Sequence, residues 1–328
     1  MNVALLRGLC TVVCCAAALG AAPAASAQAA FPDRPLTLVV GYPPGGSTDP
    51  VARLMAQHMA KTLGQPVVVE NRAGASGTMG AAHVGRSKPD GYTALFAPNG
   101  VTLHPVTLQK TAGYDIRKDL VPVSQISQGP YVVAVNASLP VDNMAQLVKH
   151  ARANPGKLFY GTAGVASPLH LLTELLNRAA GMELTHVPYK GNGPMLVGLV
   201  GGEIHVAFDT VTSARPLAEN GRLKILAVTG SKRNAMLPGV PTLEEAGIQG
   251  VGGTLWQGIF LPKDTPAPIV AKWHEAATEA LKVPAVRQML AEFGFDVIGS
   301  TPAELMQRVH SDIAQWETIV KTARIPLD

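Results

Sequence analysis

The strongest constraint on how this chain can fold is an alternation that stops before the chain does. Leu36-Thr37-Leu38-Val39-Val40 is a short β-rich run ending at Gly41. The stretch after it places Val51, Leu54, Met55, Met59 and Leu63 at helical spacing, with Gly64 as its stop signal. Val67-Val68-Val69, a helix over 79–86 and a strand over 93–97 follow. This βαβαβ order predicts an α/β fold, with a parallel or mostly parallel sheet and helices on both faces. A second series of the same kind begins near 131–135. It runs through a helix at 141–153, a strand at 158–161, a helix at 167–180 closed by Gly181, a helix after Pro194, and strands at 204–208 and 223–228. A glycine-rich stretch (Gly250, Gly252, Gly253) leads into a last run at 255–261. Only helices are expected beyond it, at 268–282, 285–293 and 302–322.

Helices without a sheet of their own must pack on a sheet made earlier. The chain is therefore expected to cross into a second lobe near 128–129 and to return near Gly253. Lobe 1 is then 28–128 with 254–328, lobe 2 is 129–253, and the double crossing is the hinge of a clamshell. About 300 residues is a length typical of two such lobes.

Residues 1–27 read as a secretory signal. Arg7 is their only charge, an apolar run follows, and Ala25-Ser26-Ala27 offers a small-residue cleavage site. The run is shorter than the roughly 20 residues a spanning helix needs. The three cysteines, Cys10, Cys14 and Cys15, all lie inside this segment. A mature exported chain would thus have no disulfide and no thiol nucleophile, and would be held together by buried apolar surface. Removing Arg7 leaves 26 basic against 23 acidic residues, +3, scattered without a Lys/Arg block. Nucleic acid is not an expected partner of such a surface. Aromatics make up only 5% of the chain, which argues against a carbohydrate receptor and fits ligands held by backbone and hydroxyl groups.

Three Gly/Pro-punctuated loops run into expected helices: 43–49, 74–78 and 161–167. A helix start carries unpaired N–H groups and partial positive charge, and glycine lets an anion come close. Converging on one cleft, these loops would hold a small carboxylate without Arg or Lys. Their hydroxyls, Ser47, Thr48, Ser76, Thr78, Thr162 and Ser167, are candidate contacts, as are Gly46, Gly77, Ala163, Val165 and Ala166 on the same loops. Tyr42, Asn99, His170 and Asp209 complete the candidate set. Asp49 has two readings: a cap on its own helix, or a partner for the ammonium of an amino-acid ligand. Asp209 is either a helix cap or a cleft residue. Helix starts are expected at Asp49-Pro50, Ser167-Pro168, Gly193-Pro194 and Thr301-Pro302, each a capping residue before a proline at the first helical position, and Thr242–Glu245 reads as a capping box.

Catalytic patterns are weak. Ser167 and His170 sit three apart, but no Gly-x-Ser-x-Gly surrounds the serine. His274-Glu275 lacks the second histidine of a zinc helix, Gly191-Asn192-Gly193 lacks the third glycine of a dinucleotide fingerprint, and there is no Walker loop. No cofactor, no metal and no enzymatic activity is expected, with an exported serine hydrolase as a remote alternative.

The ordered set Pro44-Gly45-Gly46-Ser47-Thr48-Asp49, Val69-Glu70-Asn71-Arg72-Ala73-Gly74-Ala75, Pro89-Asp90-Gly91-Tyr92-Thr93, His186-Val187-Pro188-Tyr189-Lys190-Gly191, Gly201-Gly202, Phe208-Asp209 and Leu226-Ala227-Val228-Thr229 resembles the Bug family. These are the periplasmic solute-binding receptors of tripartite tricarboxylate transporters. The resemblance implies a type II periplasmic-binding-protein fold, a small organic acid or acidic amino acid as ligand, and membrane permease subunits or a sensor as partner. The chain departs from the family pattern at Met195 and Gly198, which the resemblance places near the pocket, and at Val165-Ala166, where relatives carry a second glycine.

Overall fold

The computed structural model describes residues 31–44, 47–107, 112–165 and 167–323, and the expected signal segment lies outside them. The described chain from Arg34 onward is one compact unit. Its strands are β1 (Leu36–Val40), β2 (Val67–Asn71), β3 (Thr93–Pro98), β4 (Leu120–Asn136), β5 (Phe159–Thr162), β6 (Thr185–Pro188), β7 (Val206–Thr210), β8 (Leu223–Val228), β9 (Thr254–Pro262) and β10 (Asp296–Val297). The helices are α1 (Thr48–Leu63), α2 (Thr78–Gly85), α3 (Gly100–Thr107), α4 (Ile116–Asp119), α5 (Met144–Ala153), α6 (Pro168–Ala180), α7 (Asn192–Gly201), α8 (Val211–Glu219), α9 (Ala267–Lys282), α10 (Pro284–Glu292) and α11 (Pro302–Ala323). No described helix is long and apolar enough to cross a membrane.

One strand organises everything. β4 is 17 residues long. Its first part pairs antiparallel with β9 from Leu120 to Pro130, and its last part pairs antiparallel with β7 and β8. β3 is antiparallel to β9 and therefore runs in the direction of β4, with β1 and β2 parallel to it. β7 runs against β4, with β5 parallel to β7 and β6 parallel to β5. The parallel strands of the two halves thus point their carboxyl ends at each other across the middle of β4. β3 ends at Pro98 opposite Gln257, which itself faces Ser127; β7 ends at Thr210 opposite Tyr131. Strand ends that carry loops into helices are where α/β sheets bind ligands.

Each half has its own core. Val39, Leu95, Leu103, Trp256, Phe260, Leu305 and Trp316 cluster in the first, and Val132, Met195, Leu199, Ile204, Ala207 and Val228 in the second. Leu171 of α6 belongs to the first cluster, so this helix reaches from its own half across to α11.

The architecture matches the expected α/β order, with differences at particular elements. The crossing near 128–129 is an interior point of β4 rather than a break, because residues 120–130 form a strand along β9 that the β-poor sequence Val121-Pro122-Val123-Ser124-Gln125 conceals. The C-terminal part is not wholly helical: Asp296 and Val297 pair with Gln128 and Ser127. The helices α3 and α8 each contain a proline, Pro105 and Pro216, and were not expected.

Among the expected helix starts, Ser167 and Thr301 hold: Ser167 accepts the His170 N–H, and Thr301 and Glu304 make reciprocal capping bonds. The other two shift by two residues. α1 begins at Thr48 behind Ser47, and α7 at Asn192 behind Gly191, whose φ of 109° favours glycine. Thr242 and Glu245 make the capping-box bonds, yet they close a turn and not a helix.

Candidate functional site

In the first half the loop after β1 and the loop after β2 lie back to back. A Cβ on Gly41 would stand 2.7 Å from the Gly77 carbonyl oxygen, and one on Gly80 would stand 2.7 Å from the Gly41 Cα. Only bare backbone allows this approach. The Tyr42 ring lies over Gly77, where a Cβ would come within 2.9 Å of it, and burial pushes the Tyr42 phenol up to about 12. Tyr42 therefore serves as the wall between the two loops. Gln257 in turn donates to the Ser47 carbonyl (3.4 Å) and accepts from Ser127 (3.2 Å), tying the start of α1 to the crossover. Gly46 and Ala166 lie outside the described residues, and Ser76 is described in its backbone alone.

Asp49 is not the first-position cap of its helix. It stands second in α1, 4% exposed, with Oδ2 accepting from Arg53 Nε (3.0 Å) and Oδ1 from Asn71 Nδ2 (2.8 Å). Asn71 also donates to the Tyr42 carbonyl (3.0 Å) and accepts from Arg53 (2.7 Å). The Arg53 guanidinium, one turn along the same helix, neutralises the carboxylate. Asp49 is thereby a clamp on the first two loops, which removes the main argument for it as an ammonium site. The cations beside these loops, Arg53 and Arg72, are paired with Asp49 and Glu70. Thr78, 3% exposed, opens α2 and gives its hydroxyl hydrogen to the Ala75 carbonyl (3.0 Å), so it is a turn bond before it is a ligand donor.

Asn99 belongs to the crossover. It is 3% exposed, donates to the Thr254 carbonyl (3.1 Å) and accepts from the Tyr131 hydroxyl (3.2 Å), which links β3 to both crossing strands. Thr229 makes a similar link in the second half, accepting the Tyr131 N–H (2.9 Å) and donating to the Gly253 carbonyl (2.5 Å).

In the second half the loop 161–167 is shaped from beneath. Thr162 Oγ1 lies 2.9 Å from the Gly164 carbonyl, 3.3 Å from the Gly164 N and 2.7 Å from His186 Nε2. A hydroxyl has one hydrogen and two lone pairs. Donating to the carbonyl, it accepts from the Gly164 N–H and from His186 as the Nε2–H tautomer. All three positions are then filled, so Thr162, expected as a ligand donor, instead sets the conformation of the loop. His186 stacks on His170 (4.0 Å between ring centres) and on Tyr160 (4.9 Å). Burial, then the neighbouring His170, push His186 down to about 4; burial lowers His170 as well. Both rings are neutral at pH 7, and His170 acts as a buttress under the cap residue Ser167. Ala163 is half-buried and Val165 is 53% exposed. Met195 packs beneath the 161–167 loop, where a Cβ on Gly161 would stand 2.9 Å from its Cγ. It is fully buried in the second core, and a Cβ on Gly198 would strike the Tyr189 hydroxyl at 2.3 Å.

Asp209 is the next-to-last residue of β7 and is fully buried. Its Oδ1 accepts from Asn192 Nδ2 (2.6 Å) and the Thr210 N–H (2.7 Å), while Oδ2 has no partner among the described residues. Burial drives its pKa up to about 7. The cap of α8 is Thr210, which accepts the Ser213 N–H (3.3 Å). Asn192, Thr210 and Gln257 are site-forming residues that the sequence reading passed over. In the sequence Gly191-Asn192-Gly193 reads as an incomplete nucleotide fingerprint and Gly193-Pro194 as a helix start, and only tertiary pairing brings Gln257 to the start of α1.

The helix starts of α1 and α2 from one half, and of α6, α7 and α8 from the other, thus flank one crossover. Two α/β halves joined through a shared strand and facing each other with helix starts define a two-lobed binding protein of the periplasmic-binding-protein fold. The model of the tripartite tricarboxylate transporter family receptor matches residues 51–325. The BugT protein of Bordetella pertussis is 34% identical over 292 residues, 89% of this chain and 90% of the relative. A solved structure of Rhodopseudomonas palustris MatC with bound malate is 35% identical with a TM-score of 0.80, covering 88% of this chain and all of the other. The R. palustris protein Rpa4515, solved with adipate, is 38% identical with a TM-score of 0.83 over 90% of this chain and 99% of its own. The chain belongs to the tripartite tricarboxylate transporter receptor family. Its relatives are solute-binding receptors rather than enzymes, and the Ser167–His170 pair is a helix cap with its buttress.

Proposed function

We propose that this chain is an exported periplasmic receptor that captures a small carboxylate-bearing solute between its two lobes and presents it to the permease of a tripartite transporter. The signal segment would be 1–27, lobe 1 would be 28–128 with 254–328, and lobe 2 would be 129–253. The observation that carries the reading is the opposition of parallel-strand carboxyl ends, and of the helix starts behind them, across the middle of β4. Each helix start contributes about 0.3–1 kcal/mol toward an anion when exposed and up to about 2 when partly buried. Micromolar capture needs about −8 kcal/mol, so starts from both lobes must act together, with direct N–H bonds. A ligand touching both lobes binds the closed form better than the open one, and that difference is what drives closure. The relatives solved with adipate and malate support a carboxylate ligand.

An amino acid of the same charge class is the second reading, and Asp209 is the residue that would favour it. A thermal-shift screen over mono-, di- and tricarboxylates and acidic amino acids tests the proposal. Ligand at 100 times Kd adds about 2.7 kcal/mol, which appears as a clear rise in Tm; a flat response across the whole panel would contradict the reading.

A further inference from the structure

Asp209 stands where the second half of the cleft is built. The pairing of β5 with β7 sets Tyr160 beside Val206 and Gly161 beside Ala207, so the end of β7 comes level with the loop after Thr162. The start of α7 reaches the same carboxyl through Asn192. One oxygen is held by two donors and the other is buried with none among the described residues. A buried oxygen without a partner is costly unless it carries a hydrogen or a ligand supplies the bond.

We propose that Asp209 carries a proton in the ligated receptor and donates it from Oδ2 to a carboxylate oxygen of the solute, so that capture of the anion takes up one proton from solvent. The proposal rests on the carboxylate reading above. No covalent bond other than this O–H forms: the aspartate and the solute enter as anions, one proton joins them, and the pair shares it. Two carboxylates at contact cannot both stay ionised in a buried site.

The surroundings agree. No Arg or Lys pairs with Asp209 among the described residues, and burial holds it near the protonated state against the Thr210 N–H and the Asn192 amide. On β4 the residue opposite Asp209 is Val132; the Tyr131 phenol one residue before it feels the Asp209 charge, is kept neutral by burial and donates to Asn99. Tyr42 and Asp312 act on that same phenol; Asp312 is itself held by Arg308 (2.7 Å) and Trp256 (2.7 Å). α7 and α8 present only Asn192 and Thr210 to it, and the histidines beneath the neighbouring loop, His170 and His186, are neutral.

The test is calorimetric titration of the full chain with adipate, malate, citrate and benzoate between pH 6 and 8.5, in buffer pairs of different ionisation enthalpy. Uptake of close to one proton per ligand is expected at pH 8, falling toward zero at pH 6, with affinity dropping about tenfold per pH unit above 7. Asp209→Asn, which keeps the shape and a donor, is expected to bind with a flat pH profile and no uptake. Binding without proton uptake at pH 8, affinity that rises with pH, or an unchanged slope in the Asn variant would each overturn the proposal and leave the carboxylate reading standing. Should the variant fail to fold, the wild-type proton count decides by itself. No binding of any of the four acids at any pH would overturn both.

Discussion

The two halves of the cleft each bring one aspartate to a strand end or helix start, and they treat it in opposite ways. Asp49 is answered by Arg53 four residues later and by Asn71 on the next strand, so its charge is spent inside the first half. Among the described residues Asp209 has an amide and one N–H, no cation, and an oxygen left over. An anion approaching the first half meets backbone dipoles with their side-chain charges cancelled. In the second half it meets a carboxyl whose protonation it can change. Rigidity on one side and responsiveness on the other follow from where a single arginine was placed.

The largest effect that would separate the halves is expected at their close backbone contacts. Gly41→Ala drives a Cβ against the Gly77 carbonyl, backbone on backbone, and is expected to cost about 3 kcal/mol in urea unfolding. Gly161→Ala meets the end of the Ile204 side chain at 2.2 Å and Met195 Cγ at 2.9 Å, side chains rather than backbone, and is expected to cost less, about 1–2 kcal/mol. Equal costs would mean that the first two loops are not locked together as described.

Asn71→Ala comes next. It removes donors to Asp49 and Tyr42 and an acceptor from Arg53, and is expected to lower stability by about 2 kcal/mol. In the second half, Thr162→Val strands the Gly164 N–H and the His186 N–H and is expected to cost about 1–2 kcal/mol. Ligand affinity should fall with it, whereas Thr162→Ser should keep both. A serine variant as weak as the valine would show that the methyl group, and not the hydroxyl, matters.

The last contrast is in the pH dependence, where the signs differ. Asp209 is shifted up, so the native chain binds the extra proton and stability falls as pH rises from about 4 to about 7. His170 and His186 are shifted down, so their contribution is present above the unfolded value near 6.5 and is lost as pH drops toward 4. Unfolding of Asp209→Asn beside wild type should therefore show a difference that moves in the variant's favour between pH 4 and 7. A constant difference would place Asp209 in an ordinary, ionised state.

How much of this was legible depended on whether the cause was local. The strand and helix order could be read because period and punctuation are local, and Ser167 could be read as a cap because its partner is three residues away. β4 was half hidden: Pro122, Ser124, Gln125, Ser127 and Gln128 look like loop, and only pairing with β9 and β10 makes them strand. Asp49 was misplaced by two residues because Pro50 tolerates the first turn as a whole and not only its first position. The roles of Thr162, Asn99 and Gln257 come from partners 24, 32 and 210 residues away, a distance at which no motif can report.

The central claim is that main-chain N–H groups from both halves, with no cationic side chain, hold the solute's carboxylate. A crystal structure of the receptor with a dicarboxylate that binds it tests this directly. The account predicts carboxylate oxygens within hydrogen-bond distance of backbone N–H groups at the starts of α1 or α2 and of α6, α7 or α8 in the same complex. An acid clamped by arginine or lysine, or one touching a single half, would contradict it.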